Sequence, residues 1–269
     1  MLGLGSLVDY KRIVIEGLMS IWGKLIGGVA GYAIGGPLGG IIGAVAGHHF
    51  DKVRAAEKGE GPSTFTGHGP DSRQIAFTTA IIVLAAKMAK SDGKVTADEI
   101  ATFKRLFQIP NDEQQAVAQI WSEAKRDASG FEPYAKQIAD LFSQETQVLE
   151  ELLGALFHIA KADGVMHTDE LRMLASIGQI FGFEASAFER IKGIHLGSDQ
   201  AKNPYEVLEL ERSASDIDVK RKYRELMREN HPDVLMAKGV PEEFIEIANE
   251  KVAAINSAYD QITKERGIK

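Results

Sequence analysis

The chain has 269 residues, room for roughly two ordinary domains, and its 31 Lys+Arg against 38 Asp+Glu leave a formal charge of −7. That mildly acidic balance argues against a protein that coats nucleic acid, and 44% hydrophobic with 26% charged residues excludes disorder of the whole chain. The absence of cysteine removes disulfides, thiol nucleophiles, zinc ribbons and iron–sulfur ligation together.

The first predicted element lies within residues 1–50. From Leu25 to Gly47 no side chain is ionisable, and at 1.5 Å per residue the run makes about 35 Å of helix, enough for a hydrocarbon core of about 30 Å. Gly27, Gly31, Gly35, Gly39, Gly43 and Gly47 recur every fourth residue and share one helix face. Small residues at that spacing let two helix backbones meet closely in lipid, so the expectation is a single membrane span that pairs with a second copy. Glycine weakens a helix in water, and the bland reading of the run is a glycine-rich linker, but Leu, Ile, Val and Ala fill the gaps where a linker would carry Ser. Pro37 falls mid-span; a hairpin turning at Gly36-Pro37 is the competing arrangement, with arms too short to cross. Lys11, Arg12 and Lys24 before the run balance Lys52, Arg54 and Lys58 after it, so charge gives no orientation. Translation from Met19 would leave Lys24 alone on the N-terminal side and turn the bulk of the chain to the cytoplasm.

Residues 51–72, rich in Gly, Pro, Ser and charge, read as a linker. Residues 73–200 then read as an all-helical domain, opening with Ile75, Thr78, Thr79, Ile82 and Ala86 at helical spacing. This region repeats itself: residues 89–99 (AKSDGKVTADE) match residues 160–170 (AKADGVMHTDE), each a turn between apolar stretches. Gly93 and Gly164 suit left-handed turns, Thr96 with Glu99 forms a capping box, and Thr168 is the expected cap of the second copy. The Asp-Gly turns imitate part of a calcium loop, but its first and third ligand positions would be Met88 and Lys90, then Ile159 and Lys161, which cannot coordinate calcium. The paired turns resemble the TerB-like domain. That resemblance implies at most a weak metal site at Asp92, Glu99, Asp163 and Glu170, and no metal or other cofactor is assigned.

Residues 203–269 form the last predicted domain. Asn203-Pro204-Tyr205-Glu206-Val207-Leu208 opens a short helix with Pro in its first turn. Ser215 and Asp218 are spaced as a capping pair for a second helix, with Val219, Tyr223 and Leu226 on its apolar side. It stops at His231-Pro232-Asp233, expected on an exposed loop. A third helix starts near Pro241 with an apolar seam of Ala248, Val252, Ile255, Tyr259 and Ile262. Two such helices should pack antiparallel with His-Pro-Asp at the tip.

Read alone, the tripeptide is a helix stop. Between these two helices, after NPYEVL and before AAINSAYDQI, it resembles the J domain of DnaJ-type co-chaperones. The resemblance implies that His231, Pro232 and Asp233 trigger ATP hydrolysis in a DnaK-type partner, and that Lys220, Arg221, Arg224 and Arg228 dock on its acidic surface. Lys222 departs from the small residue common there, Glu225 and Glu229 interrupt the basic face, and the connection after Asp233 is long. Span, TerB-like bundle and J domain in this order resemble the DjlA-type family of membrane-anchored DnaJ-like co-chaperones. The resemblance implies a bacterial inner-membrane protein with its C-terminal bulk in the cytoplasm, a homodimer through the span, and a DnaK-type partner.

No enzyme activity is expected. The histidines His48, His49, His68, His158, His167, His195 and His231 form no H-E-x-x-H pair, and no Walker loop, G-x-S-x-G or dinucleotide fingerprint occurs. His48-His49 reads as a polar membrane boundary. A second functional class remains open: a metal-responsive sensor built on the acidic turns, with the J domain as output.

Overall fold

A computed structural model describes residues 35–43, 70–91, 103–104, 109, 114–127, 129–161, 164, 166–196 and 203–268. The fold is all-α, with no strand among the described residues. The helices are α1 (Pro70–Ser91), α2 (Gln114–Arg126), α3 (Glu132–Leu141), α4 (Thr146–Ala160), α5 (Thr168–Ile180) and α6 (Ala185–Leu196). They are followed by α7 (Pro204–Val207), α8 (Asp216–Glu229), α9 (Pro232–Lys238), a 3₁₀ turn (Glu242–Phe244) and α10 (Ile245–Arg266).

Helix α1 is the axis of the middle bundle. Every residue from Ile75 to Ala89 is buried, because α1 is wrapped by α2, α3 and α4. A helix this apolar around its circumference is a core helix. Its polar members are satisfied locally: the Thr78 and Thr79 hydroxyls donate to the carbonyls of Gln74 and Ile75 at 2.9 and 2.7 Å. Buried Lys87 Nζ donates to Asp127 Oδ2 (2.9 Å) and to the carbonyls of Asp127 and Ser129, beyond the end of α2. The Tyr134 hydroxyl donates to the same Asp127 oxygen at 2.7 Å. Burial alone would raise the Asp127 carboxyl, but these hydrogen bonds and the Lys87 charge bring it down to about 2.

In the second echo turn, Gly164 has φ +85°, the left-handed conformation its sequence suggests. Thr168 is not the cap, however: His167 takes that position with extended backbone, and its N–H donates to Glu170 Oε2 at 3.0 Å. The His167–Glu170 spacing reproduces that of Thr96 and Glu99 in the first copy, which lies outside the described residues.

In the glycine-rich run, Gly35 and Gly36 take φ of +60° and +59°, and a two-turn helix follows over 36–43 with Pro37 in its first turn. Leu38, Ile41 and Ile42 are buried in the bundle core, and Gln137 clamps the segment: its Oε1 accepts from Leu38 N–H (2.9 Å) and its Nε2 donates to the Gly35 carbonyl (2.8 Å). The two left-handed residues thus stand directly before Pro37. No helix among the described residues is long and apolar enough to cross a membrane. Of the glycine stripe, Gly35 and Gly43 are exposed and Gly39 is buried, while Gly27, Gly31 and Gly47 lie outside the described residues.

The C-terminal helices divide their apolar residues between two clusters. Tyr205, Val207, Leu208, Val219, Leu226, Ile255, Ala258 and Ile262 form one. Leu235, Val240, Phe244, Ile247 and Ala248 instead belong to the core of the middle bundle. Phe244 meets Phe77 of α1 edge to face, with centroids 4.9 Å apart. Gly239 ends α9 with φ +110°, and a Cβ there would come within 2.6 Å of Arg73 Cβ, so glycine meets both the turn and the close approach to α1.

Candidate partner-binding surface

Helix α8 begins as its sequence predicts: Ser215 Oγ accepts from Asp218 N–H at 3.2 Å and donates to Asp218 Oδ2 at 2.6 Å. Val219 and Leu226 are buried, and Tyr223 stacks on Tyr259 of α10 with centroids 3.9 Å apart. This antiparallel contact turns the opposite side of α8 outward. Lys220, Arg224 and Arg228 follow one another at intervals of four residues toward His231, with Arg221 beside them. Arg221, Arg224 and Arg228 are exposed and Lys220 is half-buried; Arg221 also pairs with Asp218 at 2.7 Å. Ile217, 78% exposed, sits on the same face, three, four and seven residues before Lys220, Arg221 and Arg224. The motif reading passes over it, although an apolar residue off the Val219–Tyr223–Leu226 seam is a visible signal in the sequence.

The two acidic departures are turned to structural use. Glu225 pairs with Lys222 at 3.0 Å, and Glu229 accepts from Gln147 Nε2 of α4 at 3.1 Å. Lys222 also reaches Glu209 at 2.9 Å, which gives that unexpected lysine a role.

The His-Pro-Asp tripeptide is a corner, not an open loop. Helix α8 ends at Glu229, and Pro232 opens α9 at once, so the long connection after Asp233 is largely helical. His231 caps α9, its Nδ1 accepting from Asp233 N–H at 3.2 Å, while the His231 and Asp233 side chains remain 56% and 81% exposed. The tripeptide therefore faces solvent on a fixed backbone. Its neighbours anchor it: Asn230 is buried and donates to the Leu226 carbonyl at 2.8 Å, and Leu235 is fully buried.

Behind this surface a charged network ties the C-terminal helices to the bundle. Glu150 of α4 accepts from Arg190 of α6 (2.7 Å) and pairs with Lys251 of α10 (2.9 Å). Arg190 reaches on to Glu209 at 3.1 Å, and Glu209 to Lys222. Glu209 holds φ +54°, a left-handed backbone that costs a non-glycine residue about 1–2 kcal/mol. Burial would raise the Glu150 carboxyl, but the Lys251 and Arg190 charges outweigh it and bring the group down to about 2. Its neighbour Glu151 lacks such hydrogen bonds, and burial pushes it up. Next to this network His158, His195 and Glu250 face one another; burial pulls the His158 imidazole below its usual range despite the Glu250 charge.

Of the acidic-turn candidates only Glu170 is among the described residues. Asp92, Glu99 and Asp163 lie outside the described residues, and buried Glu170 spends an oxygen on the His167 cap.

Comparison with known proteins divides the chain in three. Residues 19–61 match the co-chaperone DjlA transmembrane domain, residues 78–193 the tellurite resistance protein TerB, and residues 203–267 the DnaJ domain. Co-chaperone protein DjlA of Photobacterium profundum is 34% identical, the match covering 93% of this chain and 100% of the relative. The proteins of the same description from Vibrio cholerae and Coxiella burnetii are 32% and 29% identical, covering 93% and 91% of this chain and 100% and 98% of the relatives. No solved structure matches.

Proposed function

The chain belongs to the DjlA family of co-chaperone proteins, and on that premise we propose that its J domain docks a DnaK-type chaperone along α8 and triggers that partner's ATP hydrolysis at His231-Pro232-Asp233. The single observation that carries this reading is the joint exposure of His231 and Asp233 with Arg221, Arg224 and Arg228 on α8, while the other side of the same domain is packed on the bundle. The chain then acts as a regulator, and the hydrolytic chemistry belongs to the partner.

Lys220, Arg221, Arg224 and Arg228 supply the electrostatic encounter. Exposed charges of this kind raise the association rate and are screened by salt. The rigid corner then presents His231 and Asp233 in one orientation, which lowers the ordering cost of docking. The TerB-like bundle serves as the platform that holds the J domain and offers the remaining surface for interaction or regulation.

A membrane anchor is supported by the transmembrane-domain match over residues 19–61. We place it in a bacterial inner membrane with the bulk of the chain in the cytoplasm, where an ATP-dependent partner works. The four-residue spacing of the glycine stripe supports self-association, which requires that Leu38, Ile41 and Ile42 leave the bundle core for lipid. Gly43→Leu is the clean test of that pairing, because Gly43 is exposed and a Cβ there meets nothing within 4 Å in the single chain. Loss of the dimer signal in a membrane-association assay supports it; an unchanged signal refutes it.

The docking surface is tested with the detergent-solubilised full chain and a purified ATP-loaded DnaK-type chaperone. The double variant Arg224→Glu/Arg228→Glu should lose binding at low salt while its helicity is unchanged. Binding equal to that of the parent at every salt concentration would contradict the reading.

A further inference from the structure

Three ligand atoms converge where the bundle meets the C-terminal helix, outside the partner-binding surface. His158 Nε2 of α4 lies 2.9 Å from Glu250 Oε2 of α10 and 3.3 Å from His195 Nδ1 of α6. His195 Nδ1 stands 3.8 Å from the same Glu250 oxygen. These sides bracket the ~3.3 Å that separates ligand atoms each about 2.0–2.1 Å from a tetrahedral Zn²⁺.

The cluster is built, not incidental. Gly154 lies one turn before His158 on α4, and a Cβ there would fall 2.5 Å from His195 Nε2. The His195 ring therefore fits only against bare backbone at Gly154, a placement that turns Nδ1 toward His158. Its side chain is 1% exposed, His158 19% and Glu250 50%, so the triangle is walled on the bundle side and open on the other. Without an ion, His158 and His195 can each turn an N–H toward the Glu250 carboxylate. A cation at the common centre meets all three lone pairs at once.

We propose that His158, His195 and Glu250 bind one divalent transition-metal ion of the Zn²⁺ class, with water in the open position, and that the ion fastens α10 of the J domain to α4 and α6 of the bundle. Two imidazoles and one carboxylate suit Zn²⁺ better than Ca²⁺ or Mg²⁺, which take oxygen ligands. The site is distinct from the acidic turns, and it stands whether or not the J domain stimulates a chaperone.

The test uses the full chain in detergent, stripped with a chelator and titrated with Zn²⁺ against a chromophoric competitor. The parent should bind one ion per chain, and Co²⁺ in its place should give the visible absorption of a tetrahedral centre. Glu250→Gln and His158→Asn, both at solvent-accessible positions, should each weaken binding by at least the roughly 10–100-fold that loss of an outer-shell partner costs. His48→Asn/His49→Asn should leave it unchanged. X-ray absorption of the zinc-loaded parent gives a check independent of any variant, and two imidazoles in the shell are expected. Failure of the stripped parent to bind, equal binding by Glu250→Gln and His158→Asn, or an all-oxygen shell would each overturn the proposal.

Discussion

The two ends of helix α10 live in different environments. Its first turns place Ile247 and Ala248 in the same core as Phe77 and Leu156 of the middle bundle, whereas Ile255, Ala258 and Ile262 pack with Val219 and Leu226 of α8. The J-domain fold is thus split along one helix: an outer half that carries the basic row, and an inner half, α9 with the 3₁₀ turn and the start of α10, that is part of the bundle. The difference teaches how a tripeptide at a helix corner can be exposed yet anchored by buried neighbours. Its side chains face solvent because the outer half turns them there, and its backbone is fixed because Leu235 and Phe244 are fully or almost fully buried behind it.

Phe244→Ala is the strongest way to break this division. Removing a buried aromatic side chain typically costs about 3–5 kcal/mol. Hydrogen–deuterium exchange should accelerate in α9 and the first turns of α10, while α8 and the last turns of α10 keep their protection. Equal loss of protection in both halves would mean that the J domain is one cooperative unit and that the division is wrong.

Lys251→Ala attacks the polar part of the same junction. It leaves Glu150 facing Arg190 alone and takes the lysine charge away from Glu151, and breaking a buried pair in this way costs about 3–5 kcal/mol. Denaturant unfolding should register a loss in this range, at or below that of Phe244→Ala. A loss under about 1 kcal/mol, the level of an exposed pair, would show that the network is solvated in solution.

Acid sharpens the comparison further. The Glu150 carboxyl is held at about 2, below its ordinary 4.5, so its contribution is complete above pH 4.5 and fades as pH falls toward 2. Glu151 acts in the opposite sense, since burial raises it and its protonation relieves a buried charge. The attachment of α10 should therefore weaken as pH falls from 4.5 toward 2. The relief from Glu151 is confined to pH above 4.5, so Glu151→Gln should leave that fall unchanged and remove only the gain seen as pH descends to 4.5. Protection factors in α10, taken relative to the intrinsic exchange rate at each pH, that stay flat as pH falls from 4.5 toward 2 would contradict this.

Much of the outer half was legible in the sequence. Ser215 with Asp218, the Val219–Tyr223–Leu226 spacing and Pro232 are local signals, and each governs the backbone within a few residues. The inner half was not legible, because its partners lie far away in the chain. Leu235 and Phe244 look like scattered apolar residues in a polar connection until α1 is beside them. Lys251 offered a hint: it falls between Ala248 and Ile255 on the inward side of α10, where a lysine needs a buried anion. Nothing in the spacing of Glu150 and Glu151, within an otherwise apolar helix, said which cation would meet them. His158, His195 and Glu250 come from three helices and carry no motif at all. In the TerB-like repeat, the echo itself revealed the turn, but the one-residue choice between His167 and Thr168 as cap depended on backbone geometry.

The most direct test of the central claim is the steady-state ATP turnover of a DnaK-type chaperone in the presence of the full chain and of its His231→Asn variant. Asparagine keeps an acceptor at the cap of α9, whereas losing the cap altogether costs about 0.5–2 kcal/mol, so the variant separates signalling from folding. The parent should raise turnover several-fold, and His231→Asn should abolish the increase with unchanged helicity and unchanged exchange in α9. Stimulation by His231→Asn equal to that of the parent would reduce the tripeptide to a helix corner.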